Sequence, residues 1–246
     1  TLSFIFLILF GAGLLMLPEM THGGIRFIDA LFTSDSASCV TGLTVVDTGT
    51  FFTFKGQIVI LLLIQLGGIN IVSFATFFAT FYRVDSVRYQ SVLRDFLSSS
   101  KLSDTRSLLR RIIFFSIVIE IVGAVLVYFN WIQQVSFSSR FEKIYYSVFH
   151  SVSAFNNAGF SLFPKNLYEN GVSQSFNVHI VIMILIFLGG IGFTTLEDFY
   201  NIFLDRKKWK NVWKHVKIGS KIALKTSLWL IVAGAVLFLY AEWENV

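Results

Sequence analysis

The stretch Val40–Phe52, VTGLTVVDTGTFF, sets a polar run with an early glycine between two apolar segments, the short Phe27–Ser38 and a long one from Ile58. Asn157–Pro164, NAGFSLFP, does the same between the half-apolar Ile144–Phe155 and a long run from His179. Glycine in a polar loop is common; glycine twice in matching surroundings is a pattern. Segments of 10–14 apolar residues are too short to cross a bilayer and read as re-entrant or interfacial. Irregular backbone at membrane depth survives only where it lines a cavity or is buried in protein. Each short segment therefore predicts a helix that enters the membrane and stops at a glycine loop.

The surroundings repeat as well. A shift of 117 residues lays Phe32 on Phe149, Ser34 on Ser151, Ser36 on Ser153, Ala37 on Ala154 and Gly42 on Gly159. A shift of 122 lays IVILLLIQLGGI (Ile58–Ile69) on IVIMILIFLGGI (Ile180–Ile191), with nine of twelve positions identical. The five-residue difference falls in the outer loop, where insertions cost little. Chance resemblance between apolar helices does not explain a Gly-Gly pair and a loop glycine recurring in one order. The chain thus reads as an all-α integral membrane protein built by duplication, as channels and transporters often are. The first unit takes residues 1–82 and the second 112–205, and 222–246 is the first helix of a third. The chain begins without Met and stops at Val246 before a third loop, which reads as a fragment.

Composition agrees. Of 246 residues, 54% are hydrophobic and 28 are Phe, and mean hydropathy is +0.69. Spanning helices need roughly 20 apolar residues, and five are expected: Leu2–Leu17 (truncated at its start), Ile58–Tyr82, Ile112–Trp131, His179–Leu204 and Ile222–Tyr240. Fifteen of the twenty basic residues fall between Arg83 and Arg111 or between Arg206 and Lys225. Short loops rich in Lys and Arg stay cytoplasmic. Linkers 83–111 and 206–221 are therefore expected inside a plasma membrane, with Pro18–Gly56 and Asn130–Asn177 outside. No basic patch interleaved with aromatics lies outside the apolar runs, so no nucleic-acid partner is implied. The single cysteine, Cys39, excludes an internal disulfide.

A dehydrated potassium ion needs oxygens in place of its water, and rings of backbone carbonyls supply them. Aiming successive carbonyls one way requires unusual dihedrals, which glycine adopts without a Cβ penalty. A short helix whose C-terminal end points into the membrane adds partial negative charge near the loop. Asp35 has no acidic counterpart, since Val152 stands in its place, so the ligands read as carbonyls. The competing reading makes Gly42 and Gly159 ordinary helix C-caps.

Here the residues resemble a known family. FIDALFTSDSASCVTGLTVVDTGTFF, HSVSAFNNAGFSLFP and LGGIG are similar to the Trk/Ktr/HKT superfamily of potassium transport proteins, closest to the bacterial Ktr/Trk pore-forming subunit, and the likeness runs from Leu2 to Tyr240. It implies four units around one pore, with one filter glycine each. It implies that Val40, Thr41, Gly42 and Leu43 are one quarter of a potassium-binding filter, and Asn157, Ala158, Gly159 and Phe160 another. Serine at the first glycine goes with sodium transport in that family, so Gly42 favours potassium. The resemblance implies no cofactor beside the transported potassium. It also implies a homodimer and a cytosolic nucleotide-binding regulatory subunit, which the basic linkers face. Anionic lipid would explain those linkers too.

Gly67-Gly68 and Gly189-Gly190 read as close helix packing, with a hinge as the minority reading. On that basis Gly67→Ala should disturb packing and leave ion preference alone. Glu120 lies in an apolar run, where acids are functional suspects; a polar packing contact is the favoured reading. Glu197 and Asp198 read as solvated or salt-bridged. His150 reads as a hydrogen bond holding the loop rather than a metal ligand, since no second His or Cys lies at ligand spacing. Cys39 reads as a small packing residue, and Trp131, Trp229 and Trp243 as an interfacial belt. An intramembrane enzyme is disfavoured, because GFSL at Gly159 lacks the second glycine of a nucleophile elbow. A sodium-permeable or cation-coupled secondary transporter with a site at broken helices is the nearer alternative.

Overall fold

The computed structural model describes residues 2–68, 104–204 and 211–243, and every regular element among them is helical. In order these are α1 (Leu2–Leu15), α2 (Phe27–Ser38), α3 (Thr48–Phe51), α4 (Phe54–Gly68), α5 (Asp104–Asn130), α6 (Arg140–Phe155), α7 (Phe176–Gly190), α8 (Phe193–Leu204), α9 (Val212–His215) and α10 (Ile218–Ala241). Residues 69–103 and 205–210 lie outside the description, and with them the second half of the expected Ile58–Tyr82 helix, most of linker 83–111 and the start of linker 206–221.

Among the described residues two helices are long and apolar enough to cross a membrane, Arg110–Asn130 within α5 and α10. A third counts if Phe176–Gly190 and Thr195–Phe203 form one broken span. Five were expected. The expected continuous helix His179–Leu204 is interrupted between Gly190 and Phe193, where Gly192 takes φ 84°. A right-handed helix cannot pass through a residue with that dihedral, and glycine adopts it at no steric cost.

By contact the chain divides into two units, Thr1–Phe187 and Leu188–Val246. In the first, α2 packs on α1 and α4, α6 packs on α5, and α4 touches α6. One core joins Leu7, Leu15 and Ile64 to Phe149, Ala158 and Phe160. The short helices start at defined caps. Asp47 accepts from Thr50 N–H at 2.7 Å ahead of α3. Ser139 accepts from Glu142 N–H at 3.1 Å ahead of α6, and the Glu142 carboxylate returns to Ser138 N–H, a pairing related to the capping box. That cap explains why α6 begins at Arg140 rather than Ile144. Near the start of α4, Lys55 pairs with Glu19 and keeps its carboxyl below the usual range.

The second unit is held at one end by Asp198, which is buried. It takes Lys217 Nζ at 2.8 Å and Ser220 Oγ–H at 2.5 Å, the salt-bridged arrangement expected for it. Helix α10 carries Leu228, Leu237 and Phe238 outward.

Candidate functional site

Helices α2 and α6 end in the same way. Thr41 N–H donates to Ser36 O at 2.8 Å and Val40 N–H to Ala37 O at 3.3 Å; Ala158 N–H donates to Ser153 O at 2.8 Å and Asn157 N–H to Ala154 O at 3.0 Å. These are the two bonds of the Schellman motif, with the left-handed residue at Val40 (φ 55°) and Asn157 (φ 58°). The cap position is thus filled, and neither glycine fills it. Gly42 (φ 79°) and Gly159 (φ 71°) come two residues later, each with its own left-handed dihedral. The ordinary C-cap reading of the glycines fails on this geometry. Val40 is the more telling, because a β-branched residue in that region is an outlier, at a cost of about 1–3 kcal/mol.

The two loops meet. A Cβ on Gly42 would lie 2.7 Å from Ala158 O and 3.3 Å from Gly159 Cα, and one on Gly159 would lie 3.3 Å from Gly42 Cα. So Gly42, Ala158 and Gly159 are brought together across 117 positions. Val40, Thr41 and Asn157 flank them. Leu43 and Phe160 part company: Leu43 is 59% exposed, whereas Phe160 is 2% exposed within the core. The Phe160 carbonyl accepts from Ser153 Oγ–H at 2.7 Å and is tied back to α6. Ser36, the counterpart of Ser153, is buried with no bonded partner for its hydroxyl.

The supporting contacts also come in pairs. Ser34 Oγ–H donates to Ile8 O at 2.7 Å, and Ser151 Oγ–H donates to Glu120 O at 2.7 Å. A Cβ on Gly11 would meet Ser34 Oγ and the Leu63 methyls; one on Gly123 would meet Ser151 Oγ and the Leu185 methyls. Gly11-Ala12 and Gly123-Ala124 recur at a shift of 112, a signal that matching at 117 and 122 passes over. Gly67 and Gly68 bring α4 onto both short helices. Added Cβ atoms there would lie 2.0 Å from Ser38 O and 1.9 Å from Asn156 Oδ1. Close packing is therefore right for this pair.

His150 does hold the second loop. Its Nδ1 lies 2.7 Å from Tyr146 O and must donate; its Nε2 lies 3.0 Å from Ser161 Oγ and accepts the hydroxyl proton, while Ser161 Oγ accepts from Phe163 N–H. One neutral imidazole satisfies the chain. Among the described residues no group of three His, Cys, Asp or Glu could hold a metal ion. Buried Gln57 was not singled out by sequence. Its amide donates to Gly49 O and Phe52 O at 3.0 and 2.9 Å, and it accepts from Tyr145 O–H, linking the stretch after the first loop to α6.

Three readings need correction. Trp131 is no belt residue: it is 7% exposed, donates Nε1–H to Ser147 Oγ, and stacks edge-on with Phe137, His150 and Phe163. Trp229 is exposed but sits mid-helix in α10. Cys39 is exposed, with its thiol directed at Asp35, rather than packed.

Apolar helices of spanning length place the chain among integral membrane proteins. Its membership is narrower: residues 4–243 match TrkH, the cation transport protein family, and the chain belongs to it. It is 34% identical over 247 residues to Ktr system potassium uptake protein B of Vibrio alginolyticus (99% of this chain, 51% of the relative). To the protein of that name from Bacillus subtilis it is 38% identical over 218 residues (88% and 47%). To the potassium/sodium uptake protein NtpJ of Enterococcus hirae it is 34% identical over 245 residues (98% and 51%). The chain spans about half the length of these curated relatives.

Proposed function

We propose that this chain supplies two pore units of a potassium uptake protein and that its glycine loops are part of the selectivity filter. The units are residues 1–82 and 112–205, each a helix, pore helix, filter loop and helix, with 222–246 opening a third. The carbonyls of Val40, Thr41, Gly42 and Leu43, and of Asn157, Ala158, Gly159 and Phe160, are the proposed potassium ligands.

The observation that carries this reading is the conformation of the two loops together. Each takes a left-handed dihedral, leaves it for one residue, and takes it again at glycine. The glycines then approach until no side chain fits between them. Such alternation turns successive carbonyls toward one side, as a ligand ring requires. The hydroxyls of Ser34, Ser151 and Ser153 and Nδ1 of His150 spend their hydrogen bonds on backbone beside the loops, which suits a scaffold better than a catalytic site. The names of the relatives support potassium, and one of them also names sodium.

Linkers 83–111 and 206–221 are proposed to face the cytoplasm beneath a plasma membrane. There they would contact a nucleotide-binding regulatory subunit of a homodimeric transporter. The test of function is potassium uptake by the intact protein in a strain lacking its own uptake systems. Growth at low potassium supports the reading, and growth no better than an empty vector overturns it.

A further inference from the structure

Glu120 lies in the apolar span of α5, yet it is buried against protein. It reaches α6 twice. Its backbone carbonyl accepts from Ser151 Oγ–H, and its Oε1 accepts from Asn156 Nδ2–H at 3.0 Å. Asn156 is the capping residue at the end of α6. The same amide nitrogen bonds Val152 O at 2.9 Å and lies 3.4 Å from Gln65 Oε1 on α4. Gly68 leaves room for the other side of that amide. Three helices therefore converge on one side chain, and the next residue is Asn157, where the second loop turns left-handed.

The first unit shows which part is generic. Ser34 bonds Ile8 O just as Ser151 bonds Glu120 O. But Ile8 stands where Glu120 stands, and Cys39 where Asn156 stands. The helix pair thus forms without a carboxylate–amide bond. A buried acid in an apolar span is costly, and packing these two helices does not demand it.

We propose that Glu120 is a positioning residue for the second loop: through Asn156 it fixes where the chain leaves α6, and so the aim of the Asn157, Ala158 and Gly159 carbonyls. The inference rests on the reading of these loops as a filter.

The test uses the intact protein, with potassium and sodium uptake measured at matched membrane levels. Glu120→Ala should lower the ratio of potassium to sodium affinity roughly tenfold, the weight of leaving one buried amide hydrogen without its acceptor. Glu120→Gln keeps an oxygen for Asn156 Nδ2–H and should restore the ratio. Should Glu120→Ala fail to reach the membrane, Glu120→Ile combined with Asn156→Cys decides, because it copies the pairing that the first unit already accommodates. The same loss is expected from it. A wild-type ratio in the variant that decides, or a Glu120→Gln as impaired as Glu120→Ala, overturns the proposal. Gly159→Ser is measured alongside. If it changes the ratio while Glu120→Ala does not, positioning by Glu120 fails and the filter stands; if Gly159→Ser leaves the ratio unchanged, the filter reading fails and this inference with it.

Discussion

Gly42 and Gly159 look equivalent in the sequence and are not equally placed. Both have left-handed dihedrals, so a side chain at either strains the backbone by about 1–2 kcal/mol. At Gly42 the new Cβ would also press on Ala158 O at 2.7 Å, whereas at Gly159 the nearest atom is 3.3 Å away. Gly42→Ser should therefore lose potassium preference more severely than Gly159→Ser, with both still reaching the membrane. Paired potassium and sodium uptake curves read this directly. Equal wild-type selectivity in both would remove these loops from the filter. Val40 belongs to the same scale. A β-branched residue held left-handed persists only where its surroundings over-determine it, and here the Schellman bonds do so on a helix whose end is buried.

Glycine on the helices acts differently, by letting whole elements approach. Gly11 and Gly13 both lie on α1, two residues apart. A Cβ on Gly11 would strike Ser34 Oγ and Leu63, while a Cβ on Gly13 would meet nothing within 4 Å. Gly11→Ala should destabilise the protein by about 1–3 kcal/mol through overpacking. Gly13→Ala should be neutral or slightly stabilising, since alanine is the better helix former. Thermal unfolding in detergent separates them, and equal shifts would contradict the packing of α1 on α2 and α4. Gly67→Ala revises the reading from sequence. Its Cβ would meet the backbone of Ser38, at the end of α2 just ahead of the first loop, so the variant should impair ion preference as well as packing. Wild-type selectivity in a well-expressed Gly67→Ala protein would show that α2 absorbs the push without moving its loop.

For the whole molecule the charge pattern carries the prediction. Fifteen of twenty basic residues fall in two stretches, the pattern on which both are proposed to face the cytoplasm. In a Cys39→Ser background, a cysteine at Ser99 should react with a membrane-impermeant reagent only in opened cells or inside-out vesicles. Labelling of intact cells would invert the topology.

The sequence alone determined what is encoded within a few residues of itself. The bounds of α2, Phe27–Ser38, emerge as expected, because an apolar stretch and a turn are local facts of composition and hydrogen bonding. The matching of Ser34 with Ser151 and of Gly42 with Gly159 was legible for the same reason. Tertiary structure decided what depends on distant segments arriving together. It turned Gly42 toward Gly159, gave the left-handed caps to Val40 and Asn157, and joined Glu120 to Asn156. It also drew Trp131 away from any lipid face into a ring of aromatics. Periodicity says that a face is apolar and where a helix ends. It does not say which backbone will press against that end, because close approach is set by the packing of helices that are far apart in the chain.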